Sequence, residues 1–222
     1  LIIYQVNMQK ILSIIISITL MGCAFSSNKQ LAGHKEDLTS HSRFGVCSEY
    51  GCKKYQKTGL TGQEWQTVKN IFIPAPLTPH DERKRISLAI AQIEQFIGPK
   101  TGTESDKARA VVLNFNTKGQ MDCIDEAFNT TTYLYLLRQD GIIKLHTLGL
   151  HLRRNFNDLS YPHSTATVHE IGIKKVIEGK GHYVVDSWFH QNGVPAEIIP
   201  ASEWSGPWYP EHKKERYNFS AS

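Results

Sequence analysis

Residues 119–137 read GQMDCIDEAFNTTTYLYLL, and the reading of this stretch decides the fold. Ile124, Ala127, Phe128, Thr131, Leu134 and Tyr135 recur at helical spacing. Asp122 stands where an N-cap side chain accepts from the first backbone N–H groups, and Gly141 closes the segment. The spacing predicts a helix with Cys123 in its first turn. A helix N-terminus favours a thiolate, whereas the neighbouring Asp122, Asp125 and Glu126 oppose one. Cys123 is therefore a buried filler, half of a disulfide, or a nucleophile, and the rest of the chain decides among the three.

The chain has four cysteines: Cys23, Cys47, Cys52 and Cys123. From Met8 it reads MQKILSIIISITLMGCAFSS, with Lys10 ahead of an apolar run from Ile11 to Met21. That run is short for a bilayer span and has the layout of a secretory signal. Residues 1–22 are expected to be a signal peptide with its natural start at Met8. Residues 23–45 are a polar tether, and residues 46–222 are one domain long enough to bury a core. Leu20-Met21-Gly22-Cys23 resembles the lipobox of bacterial lipoproteins. The resemblance implies lipid on Cys23 and, because Ala24 follows, an outer-membrane lipoprotein on the periplasmic side. An exported compartment is oxidising, so Cys47 and Cys52, across CSEYGC, are natural disulfide partners; a Cys52–Cys123 bridge is the rival pairing. Net charge is +4, and the basic run His212-Lys213-Lys214-Glu215-Arg216 is short and interrupted. It reads as a solvated tail, so no nucleic-acid partner is expected.

LTPHDERKRISLAIAQIEQFIGPK (77–100) predicts a second helix. Thr78 caps it, Pro79 and Asp81 suit its first turn, and Ile86, Ala89, Ile90, Ile93, Phe96 and Ile97 form its apolar stripe. Gly98-Pro99 is expected to stop it. VVLNF (111–115) reads as a short strand or an extended approach to the Cys123 helix. IIKLHTLGL (142–150), HSTATVHEIGI (163–173) and HYVVDSWF (182–189) are β-branched and aromatic, the last two joined by a turn near 178–181. The expected class is α+β, with helices packed on an antiparallel sheet.

A cysteine nucleophile needs a base, a group that orients the base, and donors for the oxyanion. Strand alternation puts His163, Thr165, Thr167 and His169 on one face, and His182, Val184, Asp186 and Trp188 on another. Asp186 can meet His163 or His169, but those two lie about 20 Å apart along an extended strand, so one alone can serve the thiol.

Cysteine at a helix start, histidine on a strand and aspartate on the next strand resembles the papain-like transglutaminase-core superfamily. The closer likeness is to bacterial transglutaminase-like cysteine proteinases. Their Asp-Cys-x-Asp-x-Ala is met by Asp122–Ala127, their His-x-x-x-x-Val by His163–Val168, and their aspartate strand by Val184-Val185-Asp186. The wider pattern GQMDCIDE…NTTTYL…VDSWF resembles uncharacterised proteobacterial lipoproteins. The resemblance implies a papain-like core with Cys123 as nucleophile, His163 as base and Asp186 as its orienting group.

The backbone N–H of Cys123 and the side chain of Gln120 are then the oxyanion donors, unless Gln120 merely closes the turn before the helix. No cofactor is required. Calcium at Asp122 and Asp125 is allowed by some relatives, although Ile124 departs from their acidic position and capping is the alternative for Asp122. The interval from His163 to Asp186 is longer than usual, which implies a longer hairpin or a bulge. The expected function is a lipid-anchored cysteine hydrolase acting on peptide or amide bonds of a peptide, a protein or a peptidoglycan peptide. Transglutaminase-type acyl transfer and a non-catalytic binding lipoprotein are the alternatives. Trp188, Phe189, Trp204, Trp208 and Tyr209 either line a substrate groove or are a mixture of core and surface.

Overall fold

In the computed structural model of the chain the described residues are 40–111, 118–154, 162–173 and 180–211. The signal segment with Cys23, most of the tether, residues 112–115 of VVLNF, the first half of the 178–181 turn and the basic run at 212–216 lie outside them.

An antiparallel hairpin opens the described fold: β1 (Phe44–Ser48) against β2 (Lys54–Thr58), with Phe44 opposite Thr58 and Ser48 opposite Lys54. β1 starts within the last residues read as tether, because Phe44 and Val46 are buried in the main core. A helix absent from the sequence reading follows, α1 (Gly62–Asn70). It is started by a capping box in which Thr61 and Glu64 exchange side-chain-to-backbone bonds.

In α2 (Pro79–Thr101) Thr78 caps Asp81 and Pro79 occupies the first turn. The expected stop at Gly98-Pro99 is not where this helix ends. It continues to Thr101 and closes on Gly102, whose φ of 80° is left-handed. Pro99 removes one internal bond, but the terminal carbonyls are held from outside: Gln56 Nε2 donates to Lys100 and Lys54 Nζ to Thr101. Gly98 serves close approach instead of termination, since a Cβ there would lie 2.9 Å from Glu104 Cα.

α3 (Cys123–Gln139) begins with a second capping box. Asp122 accepts from the Ile124 and Asp125 N–H groups, while Asp125 accepts from that of Asp122. Of the predicted stripe only Tyr135 reaches solvent. The helix is enclosed on more than that one stripe, by the β1–β2 hairpin, α2 and the sheet.

That sheet comprises β3 (His146–Leu148), β4 (Leu152–Arg154), β5 (His163–Glu170), β6 (His182–Asp186) and β7 (Glu197–Pro200), all antiparallel. The spatial order is β3-β5-β6-β7, with β3 on the second half of β5 and β4 on its first half. Ala166, Val168 and Val185 enter the main core with α3. Val184 and Ile199 enter a second apolar cluster with Phe189, Trp208 and the Trp204 of a short helix, α4 (Ala201–Trp204). The chain is thus an α+β fold built on antiparallel sheets. Among the described residues no helix is long and apolar enough to cross a membrane.

Candidate active site

Val185 of β6 pairs with Ala166 of β5, so Asp186 stands one step further along, with His163 diagonal to it on the same face. His163 Nε2 lies 2.7 Å from Asp186 Oδ2, and both side chains are about 1% exposed. The indole N–H of Trp204 donates to the same oxygen at 2.7 Å. Ring centroids of Trp188, Phe189 and Trp204 lie 4.4, 5.3 and 5.3 Å from that of His163. A carboxylate only accepts, so a proton shared in this bond belongs to Nε2, which leaves Nδ1 as the ring nitrogen open to another group. Nδ1 is buried and has no hydrogen-bond partner.

Cys47 and Cys52 are joined as a disulfide, so the rival Cys52–Cys123 bridge does not form and Cys123 stays a partly exposed thiol. It makes no hydrogen bond to His163 Nδ1 in this structure. Its helix is nevertheless tied to the end of β6. Ser187, next to Asp186, donates to Glu126 at 2.6 Å and pairs with the Thr130 hydroxyl at 3.0 Å. Arg154, directly across the ladder from His163, is within range of the charges of both Asp186 and Cys123. The other strand histidine goes elsewhere: His169 stacks on His182, its cross-strand partner, at 4.2 Å. Burial pulls both below the ordinary imidazole value, and His169 further disfavours a charge on His182.

No known family, curated protein or solved structure matches this chain. The site is therefore read from its own geometry.

The disulfide loop docks on the start of α3. Glu49, Tyr50, Gly51 and Cys52 have φ of 67°, 68°, 66° and 59°, a left-handed run that three non-glycine residues share. Such residues cost on the order of 1–3 kcal/mol each and persist only where their surroundings fix them. Here Asp125 accepts from the N–H groups of Tyr50 at 2.8 Å and Cys52 at 2.6 Å, and Gln120 O accepts from Glu49 N–H at 2.9 Å. Asn129 bonds both backbone groups of Cys47. Asp122 and Asp125 thus spend carboxylate oxygens on backbone N–H groups. The closeness of Asp125 to Cys47 and Cys52 follows from the docked loop, whose two sulfurs are bonded to each other. Burial, then the Asp122 charge, push Asp125 up to about 8 against the pull of those N–H groups.

Gln120 braces the approach to the helix: its Nε2 donates to Ser105 O and its Oε1 accepts from Lys107 N–H. An amide nitrogen has two N–H groups, so the bond to Ser105 engages one of them.

Three carboxyl groups are buried near the helix start: Glu126 of the helix itself, and Glu94 and Asp106, which sequence reasoning missed. Desolvation is the main cause that pushes Glu94 up to about 8, Asp106 up to about 7 and Glu126 well above the usual range; repulsion by neighbouring carboxyl groups, Asp122 in the case of Asp106, adds to it. Glu94 Oε2 accepts from Gly193 N–H, Asp106 Oδ1 from Met121 N–H, and Glu126 from Ser187. A signal for Glu94 was present, since it falls on the Ile86–Ile90–Ile97 stripe of α2. Arg154 and Trp204 were missed as well. Arg154 alternates with Leu152 in a strand too short to register, and Trp204 was visible only as one of several aromatics.

Proposed function

We propose that the chain is a thiol hydrolase of the papain-like, transglutaminase-core type, cleaving peptide or amide bonds through Cys123, His163 and Asp186. One observation carries the reading: a buried imidazole fixed by Asp186 through Nε2, with a bare Nδ1, beside a helix that begins with a thiol. In that reading His163 Nδ1 takes the Cys123 proton and the sulfur attacks the carbonyl carbon. The oxyanion is held by the Cys123 backbone N–H and the Gln120 side chain. As the C–N bond breaks, the imidazolium returns its proton to the leaving amine, leaving a thioester. Water then attacks the thioester while His163 takes its proton, and the acid departs as the thiol is restored. These steps need no cofactor. The sequence reading adds the setting: lipid on Cys23, the domain facing the periplasm, and a peptide, protein or peptidoglycan peptide as substrate.

Alkylation of Cys123 across pH, followed by mass spectrometry of its peptide, tests the proposal. A thiolate–imidazolium pair predicts fast labelling far below the ordinary thiol value of about 8.5, slowed at least about tenfold at pH 6 by His163→Ala. An ordinary titration that His163→Ala leaves unchanged would contradict it.

A further inference from the structure

We propose that Arg154 is a positioning residue of this site: a buried cation that holds the Trp204 segment on Asp186 and offsets the Asp186 charge beside Cys123. The inference rests on the reading of Cys123, His163 and Asp186 given above.

Arg154 is 4% exposed, and no carboxylate among the described residues forms an ion pair with it. Its hydrogen bonds run to main-chain carbonyls: Nη1 donates to Trp204 at 3.1 Å, Gly206 at 3.3 Å and Trp208 at 3.1 Å. Its Nε is buried without a partner. The guanidinium carbon lies 4.8 Å from the Trp204 ring centre and 5.3 Å from that of Tyr209. A buried charge without a contact counter-ion is strongly unfavourable unless anions stand close by. The carboxylate that acts on Arg154 is Asp186, and Cys123 and Tyr209 stand close enough to act on it when they are ionised. Asp186 and Cys123 are members of the proposed triad, and the third member, His163, is Arg154's partner across the ladder.

Two consequences follow from this placement. The carbonyl clamp fixes residues 204–208, and so fixes the Trp204 indole that bonds Asp186 Oδ2. The charge of Arg154 also cancels that of Asp186. A thiolate–imidazolium pair can then form between Cys123 and His163 in a buried site with no net charge. Without Arg154 the site would hold the uncompensated negative charge of Asp186, and the thiolate would be disfavoured.

The test compares iodoacetamide labelling of Cys123 at pH 6 in the full chain for wild type, H163A, R154Q and R154K, with thermal unfolding as the check on fold. Loss of a nearby buried cation predicts R154Q about tenfold slower than wild type, with R154K, which keeps the charge, in between. R154Q labelling as fast as wild type while H163A is slow would reduce Arg154 to packing and overturn the inference, as would R154K no faster than R154Q. Wild type and H163A labelling alike would instead sink the triad reading, and this inference with it. Should R154Q fail to fold, W204F decides. Loss of the indole bond to Asp186 predicts labelling slowed about threefold, and an unchanged rate overturns the proposal.

Discussion

Asp186 is the residue on which the site turns, because one of its oxygens receives both His163 Nε2–H and the Trp204 indole N–H in a dry setting. Asp186→Ala leaves two buried donors without an acceptor. The expected loss is about 2–5 kcal/mol of unfolding free energy, read by urea denaturation, together with loss of fast Cys123 labelling. Trp204→Phe removes one bond of the two and is expected to cost about 1 kcal/mol. Once a hydrolysable substrate is found, His163→Ala should lower its turnover by about 10²–10⁴-fold in steady-state assays. Strand alternation narrowed the partner of Asp186 to His163 or His169, and the resemblance to a Cys-His-Asp order chose His163. Trp204 and Arg154 were not. Their parts consist of bonds to groups tens of residues away, which no local period encodes.

At the scale of elements, the start of α3 and the 49–52 turn are one unit, joined through Asp125 and closed by the Cys47–Cys52 disulfide. Asp125→Ala removes the acceptor of N–H groups on both segments and leaves a left-handed run without its support. A loss of about 2–4 kcal/mol in urea unfolding is expected, with new protease cleavage at 49–52. Replacing both loop cysteines by serine removes a short-loop crosslink and is expected to cost about 2 kcal/mol in the same measurement. A wild-type unfolding curve for Asp125→Ala would show that the turn holds itself. The Asp122 cap of α3, the α2 start and the three long strand segments were readable, each carrying a cap or a period of its own, whereas the reciprocal bond of Asp125 was not. α1, with only Trp65 and Val68 buried, and β7, with four residues, were not, because so few anchored positions make no pattern. The end of α2 was misplaced since glycine and proline read as a stop. The outside donors that carry the helix past them come from β2.

The molecule as a whole carries its buried carboxyl groups as a pH dependence. Glu94 and Asp125, near 8, and Asp106, near 7, hold protons in the folded state that the unfolded chain has released. The folded state binds more protons than the unfolded one, so stability falls as pH rises towards 8 and levels off above it. The buried histidines act in the opposite sense, but lower down: His151, near 4, is neutral in the fold, and the unfolded imidazole loses its proton around pH 6.5 and is nearly all neutral by about pH 7.5. Between pH 6.5 and 8 the carboxyl groups outweigh this remaining histidine titration, and the thermal midpoint is expected to drop by roughly 5 °C, a slope that Glu94→Gln with Glu126→Gln should flatten. A midpoint flat across that window would show these acids ionised in the fold. The central claim, that Cys123 is a nucleophile served by His163, is tested most directly by incubating the full chain with an activated ester and weighing the intact protein. The account predicts an acyl group on Cys123, released by hydroxylamine, absent in Cys123→Ser and slow to form in His163→Ala. No adduct on Cys123, or one that forms equally fast in His163→Ala, would contradict it.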